Sequence, residues 1–89
     1  MFKNKANGRN NLCGITIKKL RYSHEPYLSQ RALASELQLC GLDVDKNAIQ
    51  RIESGQRFVT DIEIVIIANY FGISLEQLLP YINDNSNHC

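Results

Sequence analysis

Nine residues in the middle of the chain carry the side chains best suited to reading a base edge. In Lys46-Asn47-Ala48-Ile49-Gln50-Arg51-Ile52-Glu53-Ser54, polar and apolar positions separate at helical spacing. Turning about 100° per residue from Lys46 places Gln50 at ~40°, Ser54 at ~80°, Asn47 at ~100° and Arg51 at ~140°. Ala48, Ile52 and Ile49 fall on the other side, at ~200°, ~240° and ~300°. Asn and Gln can bond both edge atoms of an adenine, and Arg or Lys those of a guanine. Lys46, Asn47, Gln50 and Arg51 are therefore the candidate base-reading set. The plain alternative is a solvated helix face, which would carry Glu and Ala as often.

The flanking residues suit a phosphate backbone. Ser29-Gln30-Arg31 would open the preceding helix. The free N–H groups and dipole of a helix start favour an anion there. Ser29 is an ordinary N-cap on either reading. Ser54 ends the reading row, and Arg57 in Gly55-Gln56-Arg57 could reach the backbone on the other flank. Gln30, Arg31, Ser54 and Arg57 are the candidate phosphate contacts.

Short capped helices must position these groups. Four times between Leu28 and Leu79 a capping residue follows one apolar residue and precedes another by four positions. The units are Leu28-Ser29…Leu33, Val44-Asp45…Ile49, Val59-Thr60…Ile64 and Ile73-Ser74…Leu78. Each cap accepts a bond from a first-turn N–H, and each apolar pair closes as a hydrophobic staple. Thr60 with Glu63 and Ser74 with Gln77 also complete capping boxes. A first helix runs from about Asn11 to Tyr22 on Leu12, Ile17 and Leu20, and His24-Glu25-Pro26 ends it. Gly41, Gly55 and Gly72 are natural left-handed stops for the next three. The fourth has Ile64, Ile67, Ala68 and Phe71 on one stripe, and the fifth ends at Pro80. No strand alternation persists, so the fold class is all-α with five helices. Residues 1–10 read as a flexible basic arm with Lys3, Lys5 and Arg9, residues 11–82 as the domain, and 83–89 as a disordered polar tail.

Eighty-nine residues allow one domain. All ten Lys and Arg lie at or before Arg57 against five acids, a net +5; residues 58–89 carry four acids and no base, a net −4. A basic half suits an anionic partner, although charges can segregate by chance on a small protein. No apolar run approaches the ~18 residues of a membrane span, and no signal peptide opens the chain. The expected location is the cytoplasm. Cys13, Cys40 and Cys89 are odd in number and widely spaced, which suits neither a disulfide framework nor a zinc site. Cys13 and Cys40 are expected to be small buried side chains. No metal, cofactor or small-molecule ligand is expected, and no nucleophile–base pair suggests an enzyme.

The pattern Leu28-Ser29-Gln30-x-x-Leu33-Ala34…Ile49-x-x-Ile52-Glu53-x-Gly55-x-Arg57, then Val59-Thr60-Asp61…Ala68…Gly72-Ile73-Ser74-Leu75…Leu78-Leu79, resembles the lambda-repressor/Cro-like (Xre-type) helix-turn-helix family. The resemblance covers roughly residues 12–80. It implies a compact five-helix domain, a motif in helices two and three, and a dimer that binds operator DNA. It also implies that Glu53 pairs with an arginine of the first helix, here Arg21, and so orders Arg21 for a phosphate. The bland alternative for that pair is a surface salt bridge worth under about 1 kcal/mol. Two departures stand out. About five additional residues cross 38–45, so the second helix is expected to reach Leu39 or Cys40 before a loop at 41–44. The connection through His24-Glu25-Pro26-Tyr27 is also longer. Asp43 and Asp45 near the DNA side would repel phosphate; Asp45 is needed as a cap, and Asp43 is not.

The leading reading is a sequence-specific transcriptional regulator, most simply a repressor acting on double-stranded DNA as a homodimer. The alternative is a protein-interaction module on the same fold, such as an antitoxin or targeting partner, which would lack a steep salt dependence of DNA binding. Phe58, Ile66, Tyr70, Tyr81 and Ile82 are the candidate dimer interface, on an acidic half opposite the basic one. On the other reading of spacing, those residues simply complete the monomer core.

Overall fold

The computed structural model describes residues 8–79. Five helices follow in order: α1 (Gly14–Ser23), α2 (Gln30–Leu39), α3 (Lys46–Ser54), α4 (Asp61–Phe71) and α5 (Leu75–Leu78). The described residues contain no strand. Each of the last four starts where its cap dictates. Ser29, Asp45, Thr60 and Ser74 accept from the backbone N–H of Ala32, Ala48, Glu63 and Gln77, and both capping boxes close.

The helix ends are equally local. Gly41, Gly55 and Gly72 have positive φ. At each, the glycine N–H and the next residue's N–H bond back to the last turn, as in Leu42 to the Leu37 carbonyl and Gln56 to the Arg51 carbonyl. This arrangement satisfies carbonyls that the helix itself leaves open. It also turns Leu42 into the core, where it is buried.

Cys13, Ile17, Leu33, Leu37, Ile49, Ile52, Ile67 and Leu78 are the fully buried side chains, drawn from every helix and the residue before α1. Burying one Leu or Ile fully contributes about 1.5–3 kcal/mol, so this cluster is the main force holding α1, α2 and α3 together. Val59, Ile64, Phe71 and Ile73 pack on it from outside. No helix among the described residues is long and apolar enough to cross a membrane.

Three expectations change. The first concerns α1, which begins at Gly14 rather than Asn11, because the Asn11 side chain accepts from the Gly14 N–H. Its buried row keeps the expected Ile17, but Cys13 just before the helix and Arg21 take the places expected for Leu12 and Leu20.

The expected arm, 1–10, is tied down at its described end. Arg9 Nη2 donates to the carbonyls of Ile52 (3.3 Å) and Glu53 (2.8 Å). The Asn10 N–H donates to Gly55 O at 2.7 Å. Asn11 Nδ2 reaches the carbonyls of Ile52 (3.0 Å) and Arg57 (2.7 Å). The open carbonyls at the end of α3 are the reason. Gly14 permits the crossing, since a Cβ there would collide with Ile52 O and the Arg9 guanidinium. Residues 83–89, the expected tail, lie outside the described residues.

Cys40 is exposed, not buried. It ends α2 on the solvent side while Leu42 takes the inward position. Cys13 is buried, and burial pushes its thiol pKa up to about 11. Brief treatment of the native protein with iodoacetamide is therefore expected to label Cys40 and to spare Cys13 until denaturant is added, as read by peptide mass spectrometry. Equal labelling of both in the native state would contradict this packing.

Candidate nucleic-acid interface

α3 buries Ala48, Ile49, Ile52 and Glu53 and exposes Lys46, Asn47, Gln50, Arg51 and Ser54. The expected reading face is thus a contiguous polar surface, and the isoleucines set its orientation. α2 packs against α3. Between α1, the start of α2 and α3 opens a concavity of about 610 Å³. Lys18, Tyr22 and Tyr27 line one side, Ser29, Gln30 and Arg31 another, and Lys46, Gln50 and Ser54 the third. Bases dominate this rim, and Glu53, the acid within it, is neutralised.

That neutralisation is the central feature. Arg21 Nε donates to Glu53 Oε2 at 2.7 Å and Arg21 Nη2 to Oε1 at 2.9 Å, with both side chains about 95% removed from solvent. The bond to Glu53 raises the Arg21 pKa above its ordinary value. Arg21 Nη1 donates to the Tyr27 hydroxyl and to Leu28 O, each at 3.1 Å. Gln30 Nε2 donates to Glu53 Oε1 at 3.1 Å. Arg21 and Glu53 pair as expected, but Arg21 does not stand ready for a phosphate. It is 3% exposed, and most of its donors are used inside the protein. Its part is to hold Glu53, and through it Gln30.

The other phosphate candidates divide. Arg31 is exposed in the first turn of α2. Ser54 is exposed, and its hydroxyl donates to Arg51 O at 3.2 Å. Arg57 is not free: Nη1 and Nη2 donate to the Glu63 carboxylate at 3.1 and 3.0 Å, and Nη1 also to Phe58 O. The same contact holds the Glu63 pKa below the usual carboxylate range. Glu63 does two jobs, since it also accepts from the Thr60 N–H in the capping box. Sequence spacing showed the box but not the arginine six residues before it.

The dimer candidates change more. Phe58 is 56% exposed. Ile66 and Tyr70 pack against the core, and the Tyr70 hydroxyl donates to Glu36 Oε1. Ile62, 70% exposed, and Val65 are the outward apolar residues of α4. Tyr81 and Ile82 lie outside the described residues. Asp43, expected to disturb a phosphate, lines a separate hollow with Gln38, Gly41 and Leu42. Lys18 and Tyr27 were missed. Lys18 carried no role in the reading of the first helix, and Tyr27 read as part of a connection; only the packing of α1 and α2 on α3 puts both on the rim.

The Helix-turn-helix family model matches residues 17–78, more than half of the chain. No curated protein and no solved structure matches it significantly.

The buried pair makes a stability prediction. Arg21→Ala leaves Glu53 charged and buried, which is expected to cost about 3–5 kcal/mol in urea unfolding. Replacing both, Arg21→Met with Glu53→Leu, removes the stranded charge and is expected to recover all but about 2 kcal/mol of that loss. A double variant as unstable as the single would show that the pair does more than neutralise itself.

Proposed function

The chain belongs to the lambda-repressor-like helix-turn-helix family of DNA-binding regulators, and from that premise we propose that it is a sequence-specific repressor that reads operator DNA with α3. The observation that carries this reading is the outward row Lys46, Asn47, Gln50 and Arg51 beside a basic concavity. α3 lies in the major groove, where Asn47 and Gln50 meet adenines and Lys46 and Arg51 meet guanines. Arg31, Gln30 and the start of α2 grip phosphate on one flank and fix the register. A promoter covered in this way is closed to the transcription machinery.

Selection of bound duplexes from a random pool, followed by titration of the selected site, tests the base-reading assignment. Asn47→Ala or Gln50→Ala is expected to cost about 1–3 kcal/mol on that site and to relax one base position. Unchanged affinity and unchanged preference in both variants would remove α3 as the reader.

One nine-residue helix reads too few base pairs for a genomic address. A two-fold dimer doubles the site, with half-sites about one DNA turn apart. We place the dimer contact on Phe58, Ile62 and Val65, which are apolar and exposed in the half of the chain that carries no base after Arg57. Sedimentation with a palindromic selected duplex is expected to show two chains per duplex, and Ile62→Glu is expected to reduce this to one. A single wild-type chain per duplex at saturation would overturn the dimer.

A further inference from the structure

The deepest use of the buried ion pair lies on its other side. Gln30 hangs from Glu53, and Tyr27 hangs from Arg21. Tyr27 is 55% exposed and lines the same concavity as Gln30, Lys46 and Gln50. Its hydroxyl oxygen accepts from Arg21 Nη1 at 3.1 Å. A guanidinium has only donors, so the phenolic proton cannot point back along that bond. Among the described residues no acceptor takes it. The proton is therefore free to donate away from Arg21, at the exposed rim.

The surroundings reinforce that direction. The Arg21 guanidinium carbon sits 4.8 Å from the Tyr22 ring centre and 6.0 Å from the Tyr27 ring centre. The two rings are 5.7 Å apart. Tyr27 is thus braced by an aromatic neighbour and by a cation that cannot move without breaking its pair with Glu53. A hydroxyl accepting from a charged donor is polarised and becomes a stronger donor itself. Lys18 and Arg31 on the same rim would draw an anion to it.

We propose that Tyr27, in the long connection between α1 and α2, is a further positioning contact for DNA: its hydroxyl, aimed by Arg21, donates to a backbone phosphate at the mouth of the concavity. The inference rests on the DNA reading above and adds to it a neutral donor that the basic residues do not supply. Phosphate contacts set register without carrying sequence, so its loss weakens all duplexes alike. A neutral donor displaces no counterion of its own, so its loss leaves the salt slope where it was.

The test compares the wild-type chain with Tyr27→Phe on a duplex selected by the wild type and on an unrelated duplex, across a salt series. Tyr27→Phe is expected to lose about tenfold in affinity, roughly 1.4 kcal/mol, on both, with parallel salt slopes. A scan of single methylphosphonates along the selected duplex then separates contact from fold. One neutralised phosphate is expected to weaken the wild type and leave Tyr27→Phe unaffected. If no position distinguishes the two proteins, or if Tyr27→Phe binds as tightly as the wild type, Tyr27 is not a phosphate contact, while the DNA reading stands on the wild-type titration. A wild type that binds no duplex overturns both.

Discussion

The concavity between α1, α2 and α3 depends on one buried ion pair. Desolvating two charges costs several kcal/mol per ion, and their attraction repays this only when every remaining donor and acceptor is bonded. Here those extra bonds go to Leu28 O, the Tyr27 hydroxyl and the Gln30 amide. The pair therefore cannot be satisfied without fixing the end of α1, the start of α2 and the last turn of α3 relative to one another. A hydrophobic contact in the same place would add stability but would tolerate sliding. Directional bonds between three helices leave a single arrangement, and the polar rim inherits it.

α3 is held by different means along its length. Asp45 fixes its start through Ala48, and Ile49 and Ile52 anchor its middle. Arg9, Asn10 and Asn11 occupy the carbonyls at its end. These bonds span more than forty residues of sequence, from before α1 to after α3. Cations near a helix C-terminus also interact favourably with its dipole. Rotation of α3 would have to break the bonds from Arg9, Asn10 and Asn11, the Glu53 pair and the isoleucine packing together, so its outward row keeps a constant aspect.

Much of this was legible in the sequence because it is local. Capping boxes, staples and glycine stops act within six residues, and they placed α2 through α5 correctly. The isoleucine spacing of α3 likewise fixed which face turns outward. What sequence left open depends on pairs of distant elements. Ile66 and Tyr70 read as surplus because α4 is apolar nearly all round; which of its faces is covered follows from where the other helices lie. Arg57 read as free because its partner, Glu63, already had a role as a capping residue. Arg9 read as part of an arm because residues 1–10 show no periodicity, and the α3 carbonyls that hold it lie more than forty residues away. Arg21 and Glu53 were paired by family resemblance, yet their burial, and hence the loss of Arg21 as a surface cation, needed the packed structure.

The additional residues after α2 show how the motif tolerates length. Along 41–45 exposure alternates: Gly41, Asp43 and Asp45 face out, while Leu42 and Val44 are buried. Gln38 Nε2 donates to Val44 O at 2.6 Å and closes the segment on itself. The insertion is thus a short extended strap with its own two anchors. It attaches at the C-terminal end of α2, about 15 Å along the helix axis from Gln30. Its outward residues, Gly41, Asp43 and Asp45, do not line the concavity that holds Gln30, Lys46 and Gln50. The acid that would repel a phosphate is therefore kept off the basic rim by the same apolar alternation that seats the loop. Extra chain in this turn changes the flank of the domain and leaves the basic concavity governed by the Arg21–Glu53 pair.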